Sequence, residues 1–339
     1  MKFSLIICTY MRPQAVVKLL LSVAKQSLYP DEILIIDGSE NQDTENAIAQ
    51  HDFAKVAYYK VSESERGLTK QRNFGIQKSD RSSQVICFLD DDTILTPNYC
   101  LEIIKTFKED EGLVGVGGIA MNENKWQEKK QNISYHPHYF YQWENYVYPE
   151  GLRNVVRNYL GLSSPLHPGK MPNFSHGRTC GYPLTGKTYD ADLLIGMAMS
   201  FRASVFKELQ FSTYFEGYGL YEDADFSLRV LQYGRNAINT KAQLHHYHEP
   251  YGRPNQYKYG KMVVRNGWYV WRVKNPNPKI KDRLKWHLIT VLLLCIRGTN
   301  SLRGNDKKAA FLETIGRVIG WISVLFSPPQ IQIKDYGGL

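Results

Sequence analysis

The chain has 339 residues, a formal net charge of +9, and 43 % apolar against 22 % charged residues. These values are typical of a globular protein of one large or two modest domains, and they exclude long disordered regions. The basic charge favours an anionic partner, which could be a nucleic acid, a phosphorylated ligand or a lipid surface.

Five scattered cysteines show neither Cys-x-x-Cys nor Cys/His metal spacing. We therefore expect reduced thiols in a cytoplasmic protein. The apolar start lacks a small-residue cleavage site and stops at Arg12-Pro13, so it predicts a first strand rather than a signal peptide. The longest apolar run, Trp286–Ile296, is shorter than the about 18 residues of a membrane span, and we expect no transmembrane anchor.

Strand-like and helix-like stretches alternate through residue 121. The predicted strands cover residues 3–9, 32–39, 55–61, 84–92 and 112–121. The predicted helices between them cover residues 12–27, 41–51, 67–79 and 96–110. This alternation predicts βαβ units, and hence an α/β fold with a Rossmann-like, mostly parallel, doubly wound sheet covered on both faces.

Residues 122–190 lose this periodicity and are rich in Pro, Gly, His and Tyr, which is typical of a functional loop or lid. Order resumes at residue 192, and three helices that mix Lys and Arg with Trp, Tyr and Leu follow residue 255. We expect one domain over residues 1–250, divided near residue 120, and a helical, basic region over residues 251–339.

Polar side chains end three of the predicted strands. Thr9 ends the first, with Arg12 close behind; Asp37 ends the second; and Asp90–Asp92 end the fourth. Ligands of open α/β sheets bind at this carboxyl edge. Taken alone, Asp37 before Gly-Ser is as typical of a turn residue as of a ligand-binding residue. One aspartate could cap the following helix, but three adjacent carboxylates disfavour one another's charge and need a cation.

Divalent cations would resolve the clustering of the three aspartates. Mg²⁺ and Mn²⁺ prefer oxygen ligands, and substrate phosphates commonly complete the shell of Mg²⁺. The sequence therefore predicts half of a metal site whose other half is a diphosphate.

Five motifs in this order resemble family 2 glycosyltransferases of the GT-A fold: "ICTYMRP", "IIDGS", "QRNFG", "FLDDD" and "YEDADFSLR". The resemblance covers about residues 1–250. It implies inverting transfer of a sugar from a nucleotide-diphosphate donor, most commonly a UDP-sugar, to a hydroxyl of a glycan or lipid-linked acceptor. We expect a role in bacterial surface polysaccharide synthesis.

The resemblance also implies roles on the donor side of the site. Thr9 and Asp37 would hold the base and ribose, Asp92 would bind the metal directly, and Asp91 would bind sugar or ribose hydroxyls. Three further residues are expected near the nucleotide, namely Arg12, Arg72 and Asp90. One position departs from the family pattern, because Ile36 stands where many members have a first Asp.

On the acceptor side, which the resemblance places within residues 121–250, Glu222 and Asp223 match the family's acidic pair. Glu222 would bind the substrate or nucleotide, and Asp223 would be the catalytic base. Acidic residues are also typical of a helix N-terminus, an interpretation that stays open for this segment. His245 matches the family's metal-binding histidine by spacing. In an extended chain, side chains alternate between two faces, so His246 and His248 would instead lie on one face. The third interpretation is that these histidines belong to an ordinary aromatic-rich surface loop.

The C-terminal helices allow two interpretations. Basic helices with interfacial aromatics bind anionic membranes, which would suit a peripheral enzyme on the inner face of the cell membrane. They equally suit packing against the catalytic domain or a second subunit of a homo-oligomer. No nucleic-acid-binding module is present in the sequence. A sugar nucleotidyltransferase and a non-catalytic module that binds a sugar nucleotide or a membrane are the alternative functions.

Overall fold

The structure is a computed structural model that describes residues 1–178, 181–248, 254–303 and 306–331. These residues form two compact units. The first unit contains residues 1–124 and 184–248, and the second contains residues 125–178, 181–183, 254–303 and 306–331. The domain boundary predicted at residue 250 and the thiol of Cys180 lie outside the described residues.

The first unit follows the predicted alternation of strands and helices. Its strands are β1 (Phe3–Thr9), β2 (Glu32–Asp37), β3 (Val56–Lys60), β4 (Val85–Asp90), β5 (Thr93–Leu95), β6 (Leu113–Ala120), β10 (Thr188–Ala191), β11 (Ala198–Arg202) and β12 (Arg235–His246). Its helices are α1 (Pro13–Val23), α2 (Asp43–Ala49), α3 (Leu68–Lys78), α4 (Tyr99–Glu109) and α6 (Glu222–Val230).

These strands form one sheet in the order β10-β12-β6-β11-β4-β1-β2-β3, and β5 pairs with β12. The pairs formed by β1, β2, β3 and β4 are parallel, and so is the pair of β6 with β12. Strand β11 lies antiparallel between β4 and β6. The predicted α/β class is confirmed, with antiparallel strands added on the β11 side.

The apolar runs of the strands explain why they are buried on both faces. Leu5, Ile6 and Ile7 are consecutive in β1, and each is at most 1 % exposed. A strand covered on one face would alternate apolar and polar residues, whereas this strand needs apolar residues throughout. Helix α1 begins at Pro13, whose fixed φ suits a first helical turn.

The second unit contains ordered structure in the region for which the sequence predicted a loop. Strands β7 (Gln127–Glu128), β8 (Phe140–Trp143) and β9 (Tyr146–Pro149) form a small antiparallel sheet, and helix α5 (Leu152–Tyr159) follows it. Tyr141 pairs with Tyr148 across this sheet, and the Trp126 ring contacts both tyrosine rings. Strands of two to four residues are too short to show a hydrophobic period.

Three long helices complete the second unit, namely α7 (Gln256–Lys274), α8 (Ile280–Arg303) and α9 (Lys307–Phe326). Helices α7 and α9 approach closely at glycines. A Cβ on Gly260 would overlap the carbonyl oxygen of Glu313, and a Cβ on Gly316 would overlap the carbonyl oxygen of Tyr257. Small residues permit this backbone proximity.

Helix α9 is, within the described residues, the one helix that could cross a membrane by length and composition. The sequence criterion of uninterrupted apolar residues overlooked it, because Glu313 and Arg317 interrupt the run. These two side chains form an ion pair with each other, and Glu313 also pairs with Arg297 of α8.

Candidate active site

The carboxyl ends of β1, β2 and β4 meet at one edge of the sheet, as the sequence predicted. Thr9 pairs with Asp37 across β1 and β2, and Cys8 pairs with Asp90 across β1 and β4. This register brings the polar strand ends together in the first unit.

Asp91 is held by protein partners. Its carboxylate accepts hydrogen bonds from Thr9 Oγ1 at 2.7 Å and Arg12 Nη1 at 2.9 Å. Asp91 is 3 % exposed, and burial raises the pKa of its carboxyl to about 7, although Arg12 and Thr9 oppose the shift. Arg12 Nη1 also lies 3.7 Å from Asp92 Oδ2, so one guanidinium serves both carboxylates.

Asp37 is fully buried and organises the end of β2. It accepts a hydrogen bond from the Tyr58 hydroxyl at 2.7 Å and another from the Ser39 N–H at 2.8 Å. The second bond is the local turn expected of Asp before Gly-Ser. The role of Asp37 toward a ribose stays a prediction.

Asp90, Asp92 and His246 form a group whose ligand atoms lie within 4.8 Å of one another. His246 Nε2 lies 3.2 Å from Asp92 Oδ1. Burial lowers the pKa of His246, but its hydrogen bonds to Asp92 and Glu123 outweigh this and raise the pKa to about 10. Two carboxylates and one imidazole are a donor set that Mn²⁺ accepts well, so these residues fit the predicted metal.

His245, which the family spacing favoured for the metal, is directed elsewhere. It pairs with Ile94 of β5, and its ring stacks on Tyr247 with centroids 6.3 Å apart. Successive side chains of a strand point to opposite faces, so β12 cannot present both His245 and His246 to Asp92. Neither potential metal-binding group among the described residues contains His245.

Glu123 is a residue that the sequence analysis missed. It follows β6, and one of its carboxylate oxygens lies 2.7 Å from His246 Nδ1 and 2.9 Å from His248 Nε2. These three side chains form the second potential metal-binding group. Glu123 lies in a stretch without periodicity, 123 positions from His246, so no local pattern could have identified it.

Arg72 connects the aspartates of β4 with the acidic pair of α6. Its side chain is 2 % exposed and forms a buried ion pair with Glu222. The guanidinium also lies 3.4 Å from Asp90 Oδ1 and donates to the Gly196 carbonyl at 3.2 Å. Burial raises the pKa of the Glu222 carboxyl, and Arg72 opposes that rise. Arg72 and Glu222 therefore make protein contacts, and their predicted roles toward the nucleotide are untested.

Asp223 is half-buried and held by two backbone N–H groups. Gly196 N donates to its Oδ2 at 2.9 Å, and Ala224 N donates to its Oδ1 at 2.8 Å. Both acidic residues lie in the first turn of α6, so the helix-start interpretation describes their position correctly. It does not exclude chemistry, since a fixed and partly exposed carboxylate can accept a proton. Asp225 instead forms a buried ion pair with Arg229.

Comparisons with known proteins show what this chain is similar to. A family model described as glycosyl transferase family 2 matches residues 4–166. Glucosyl-dolichyl phosphate glucuronosyltransferase from Haloferax volcanii is 25 % identical over 146 residues, which are 42 % of this chain and 44 % of that protein. The chain thus matches less than half the length of this relative.

Two solved structures share the fold. The mannosyltransferase PcManGT from Pyrobaculum calidifontis, in complex with GDP-Man and Mn²⁺, is 11 % identical with a TM-score of 0.53 and covers 96 % of this chain and 87 % of its own. GalNAc-T7 with UDP, GalNAc and Mn²⁺ is 15 % identical with a TM-score of 0.50, covering 78 % of this chain and 48 % of its own. At these identities the likeness shows the fold alone, and the predicted GT-A fold is confirmed. The motifs, the fold and the matched residues agree, and residues 4–166 are a glycosyltransferase family 2 domain.

Proposed function

We propose that this chain is an inverting, metal-dependent glycosyltransferase that moves a sugar from a nucleotide-diphosphate donor to an acceptor hydroxyl. The observation that carries the proposal is the chain of contacts through Arg72. It links the Asp90 carboxylate, beside Asp92 and His246, to the acidic start of α6, where Asp223 lies. Structures with the same fold bind nucleotides or nucleotide sugars together with Mn²⁺.

In this proposal, Asp92 and Asp90 would hold Mn²⁺ or Mg²⁺, and His246 takes the place expected of His245. A bound metal supplies Lewis-acid stabilisation to the charge that develops on a departing diphosphate. Both ions prefer oxygen ligands, but the imidazole suits Mn²⁺ better than Mg²⁺, because Mg²⁺ loses its water ligands reluctantly and demands a near-ideal octahedral shell. On the donor side we propose that Thr9, Arg12, Asp37 and Asp91 surround the nucleotide, and a UDP-sugar is the first donor to test.

Asp223 is the proposed base. The N–H groups of Gly196 and Ala224 fix the orientation of its carboxylate, which leaves it placed to accept the proton of an acceptor hydroxyl. The oxygen would then attack the anomeric carbon opposite the leaving diphosphate, through an oxocarbenium-like transition state, and invert its configuration.

A donor panel tests the proposal. Nucleotide release would be measured for a set of nucleotide sugars with Mn²⁺ or Mg²⁺, because slow hydrolysis releases nucleotide even without acceptor. We expect metal-dependent release from one donor, lost in Asp92→Ala and kept in Asp52→Ala, whose side chain is exposed. A protein that binds a nucleotide but turns over no donor, with or without lipid-linked acceptor extract, would be a non-catalytic module.

We further propose that the enzyme works at the inner face of the cell membrane on a lipid-linked acceptor of bacterial surface polysaccharide synthesis. The support is an uncharged, exposed face of α9. Its apolar members and their exposed fractions are Phe311 (55 %), Ile315 (37 %), Ile319 (39 %), Ile322 (41 %) and Phe326 (85 %). The other sides of α9 pack on α7 and α8. Exposed apolar faces of this extent mark membrane or protein contacts.

Two features favour a lipid surface over a second subunit. Helix α9 is long and apolar enough to cross a membrane, and it begins with Lys307 and Lys308, which suit anionic headgroups. Sedimentation with phosphatidylglycerol-containing vesicles should therefore capture the chain and not the variant Ile315→Ser/Ile319→Ser. Leu152→Ser, which alters an exposed leucine of α5, is the control. If vesicles do not bind and the α9 variant instead dissociates a dimer, the face is a subunit interface.

A further inference from the structure

We infer that Glu123 is a positioning residue that orients the His246 imidazole for metal binding beside Asp92. The inference rests on the proposed metal site, but it concerns a residue outside the five sequence motifs. Its basis is the geometry of one imidazole ring between two carboxylates.

The two ring nitrogens of His246 face different partners. Nε2 lies 3.2 Å from Asp92 Oδ1, and Nδ1 lies 2.7 Å from Glu123 Oε1. The nitrogens of an imidazole point to opposite sides of the ring, so a cation bound beside Asp92 meets Nε2, while Glu123 stays on the Nδ1 side. When Nε2 is the ligand, Nδ1 carries the proton and donates it in a hydrogen bond to Glu123.

Hydrogen bonds from the two residues before Glu123 to β12 hold Glu123 beside the ring. Asn122 Nδ2 donates to the His246 carbonyl at 2.7 Å, and the His246 N–H donates to Asn122 Oδ1 at 3.0 Å. The Met121 N–H donates to the Leu244 carbonyl at 2.8 Å, which continues the pairing of β6 with β12. On the other side, the Tyr247 N–H donates to the Asp92 carbonyl at 3.0 Å.

Exposure separates the roles of the two carboxylates. The Asp92 side chain is 7 % exposed and the His246 side chain 12 %, whereas Glu123 is 42 % exposed at the rim. Burial of Asp92 beside the buried Asp91 disfavours its negative charge, and a bound cation would offset that cost, whereas water at the rim already stabilises the charge of Glu123. Carboxylates that orient a metal-binding histidine typically change metal affinity by about 10- to 100-fold when they are removed.

A different arrangement is possible with the same side chains. Glu123, His246 and His248 could bind an ion directly, using Nδ1 of His246 instead of Nε2. This alternative makes Glu123 a ligand and makes His248 essential. Variants at the two positions distinguish the arrangements.

The experiment is Mn²⁺ binding to the metal-free full chain, followed by the loss of the free-ion signal in electron paramagnetic resonance. We expect Glu123→Ala to raise the Kd by about 10- to 100-fold. Glu123→Gln should lose less Mn²⁺ affinity than Glu123→Ala, because the glutamine amide oxygen still accepts the hydrogen bond from His246 Nδ1–H. His248→Ala and Glu111→Ala should leave the Kd unchanged; Glu111 is an exposed carboxylate before the opposite end of β6. Thermal unfolding of each metal-free variant checks the fold.

Three results would overturn the inference. Glu123→Ala could bind Mn²⁺ as tightly as the wild type, or the wild type could bind none. His248→Ala and Glu123→Gln could instead both lose as much affinity as Glu123→Ala, which would make Glu123 a direct ligand. The Mn²⁺ titration contains no nucleotide sugar, so its result does not depend on sugar transfer. If Mn²⁺ binding depends on Glu123 but the chain transfers no sugar, the proposed function is contradicted and this inference stands.

Discussion

Replacing Arg72 by Met should strongly destabilise the first unit. The Arg72 and Glu222 side chains are 2 % and 4 % exposed, and they form an ion pair. Methionine keeps much of the apolar volume that packs against Phe88 and Phe211 but removes the charge. Glu222 would then be a buried carboxylate without its cation.

The magnitude follows from these exposures. Removing one partner of a buried ion pair costs about 3–5 kcal/mol, because the other charge is left uncompensated. The contact with Asp90 adds little, since the Asp90 side chain is 35 % exposed and water can replace the guanidinium. A loss of this size is a large fraction of the about 5–15 kcal/mol that stabilises a typical domain. The double variant Arg72→Met/Glu222→Leu removes both charges and should recover most of the loss.

Urea unfolding measures the loss of stability in the first unit, and the second unit serves as an internal control. All six tryptophans, at positions 126, 143, 268, 271, 286 and 321, belong to the second unit, so their fluorescence reports that unit. Far-UV circular dichroism reports both units, and the free energy of unfolding follows from linear extrapolation. The reasoning is refuted if Arg72→Met costs less than about 1 kcal/mol, or if the double variant is no more stable than the single one.

Three further predictions concern other residues. Burial lowers the pKa of His176 from 6.5 to about 4, so only the unfolded state binds a proton between these pH values. The free energy of unfolding should therefore fall by up to about 3 kcal/mol as the pH drops from 6.5 to 4, and His176→Gln should remove this slope in urea titrations at each pH. Gly316→Leu should cost about 1–3 kcal/mol and lower the Tm followed by tryptophan fluorescence, because its side chain meets the Tyr257 backbone; an unchanged Tm would contradict the close helix packing. Gly196→Ala places a Cβ 3.1 Å from Glu222 Oε1, which pairs with Arg72, and 3.3 Å from Asp223 Cβ, so the Tm should fall and the kcat of nucleotide release should fall by about tenfold or more; an unchanged kcat would contradict the role of Asp223.

Much of the first unit could be predicted from sequence because the residue patterns that determine its strands and helices are local. The apolar runs of β1, β2 and β4 are continuous, and each ends at a polar residue, so the edge that collects Thr9, Asp37 and Asp90 follows from strand direction alone. The acidic start of α6 was predicted for the same reason, since helix-start residues are adjacent in the chain.

The remaining features depend on contacts between distant segments. Whether His245 or His246 faces Asp92 depends on the register of β12 against β5, and a shift of one residue exchanges the two. Glu123 reaches His246 only because β6 and β12 are neighbours in the sheet. Arg72, which is expected near the nucleotide, forms an ion pair with Glu222, a partner 150 residues away that no local pattern could identify.

The role of Asp223 is the central claim, and one substitution tests it most directly. With the donor and metal identified, transfer by the wild type would be compared with Asp223→Asn, which keeps the shape of the side chain but cannot take a proton. A general base contributes about 10²- to 10⁴-fold to the rate, so we predict a fall of that size in kcat with donor affinity unchanged. An Asp223→Asn variant that transfers sugar at the wild-type rate would contradict the account.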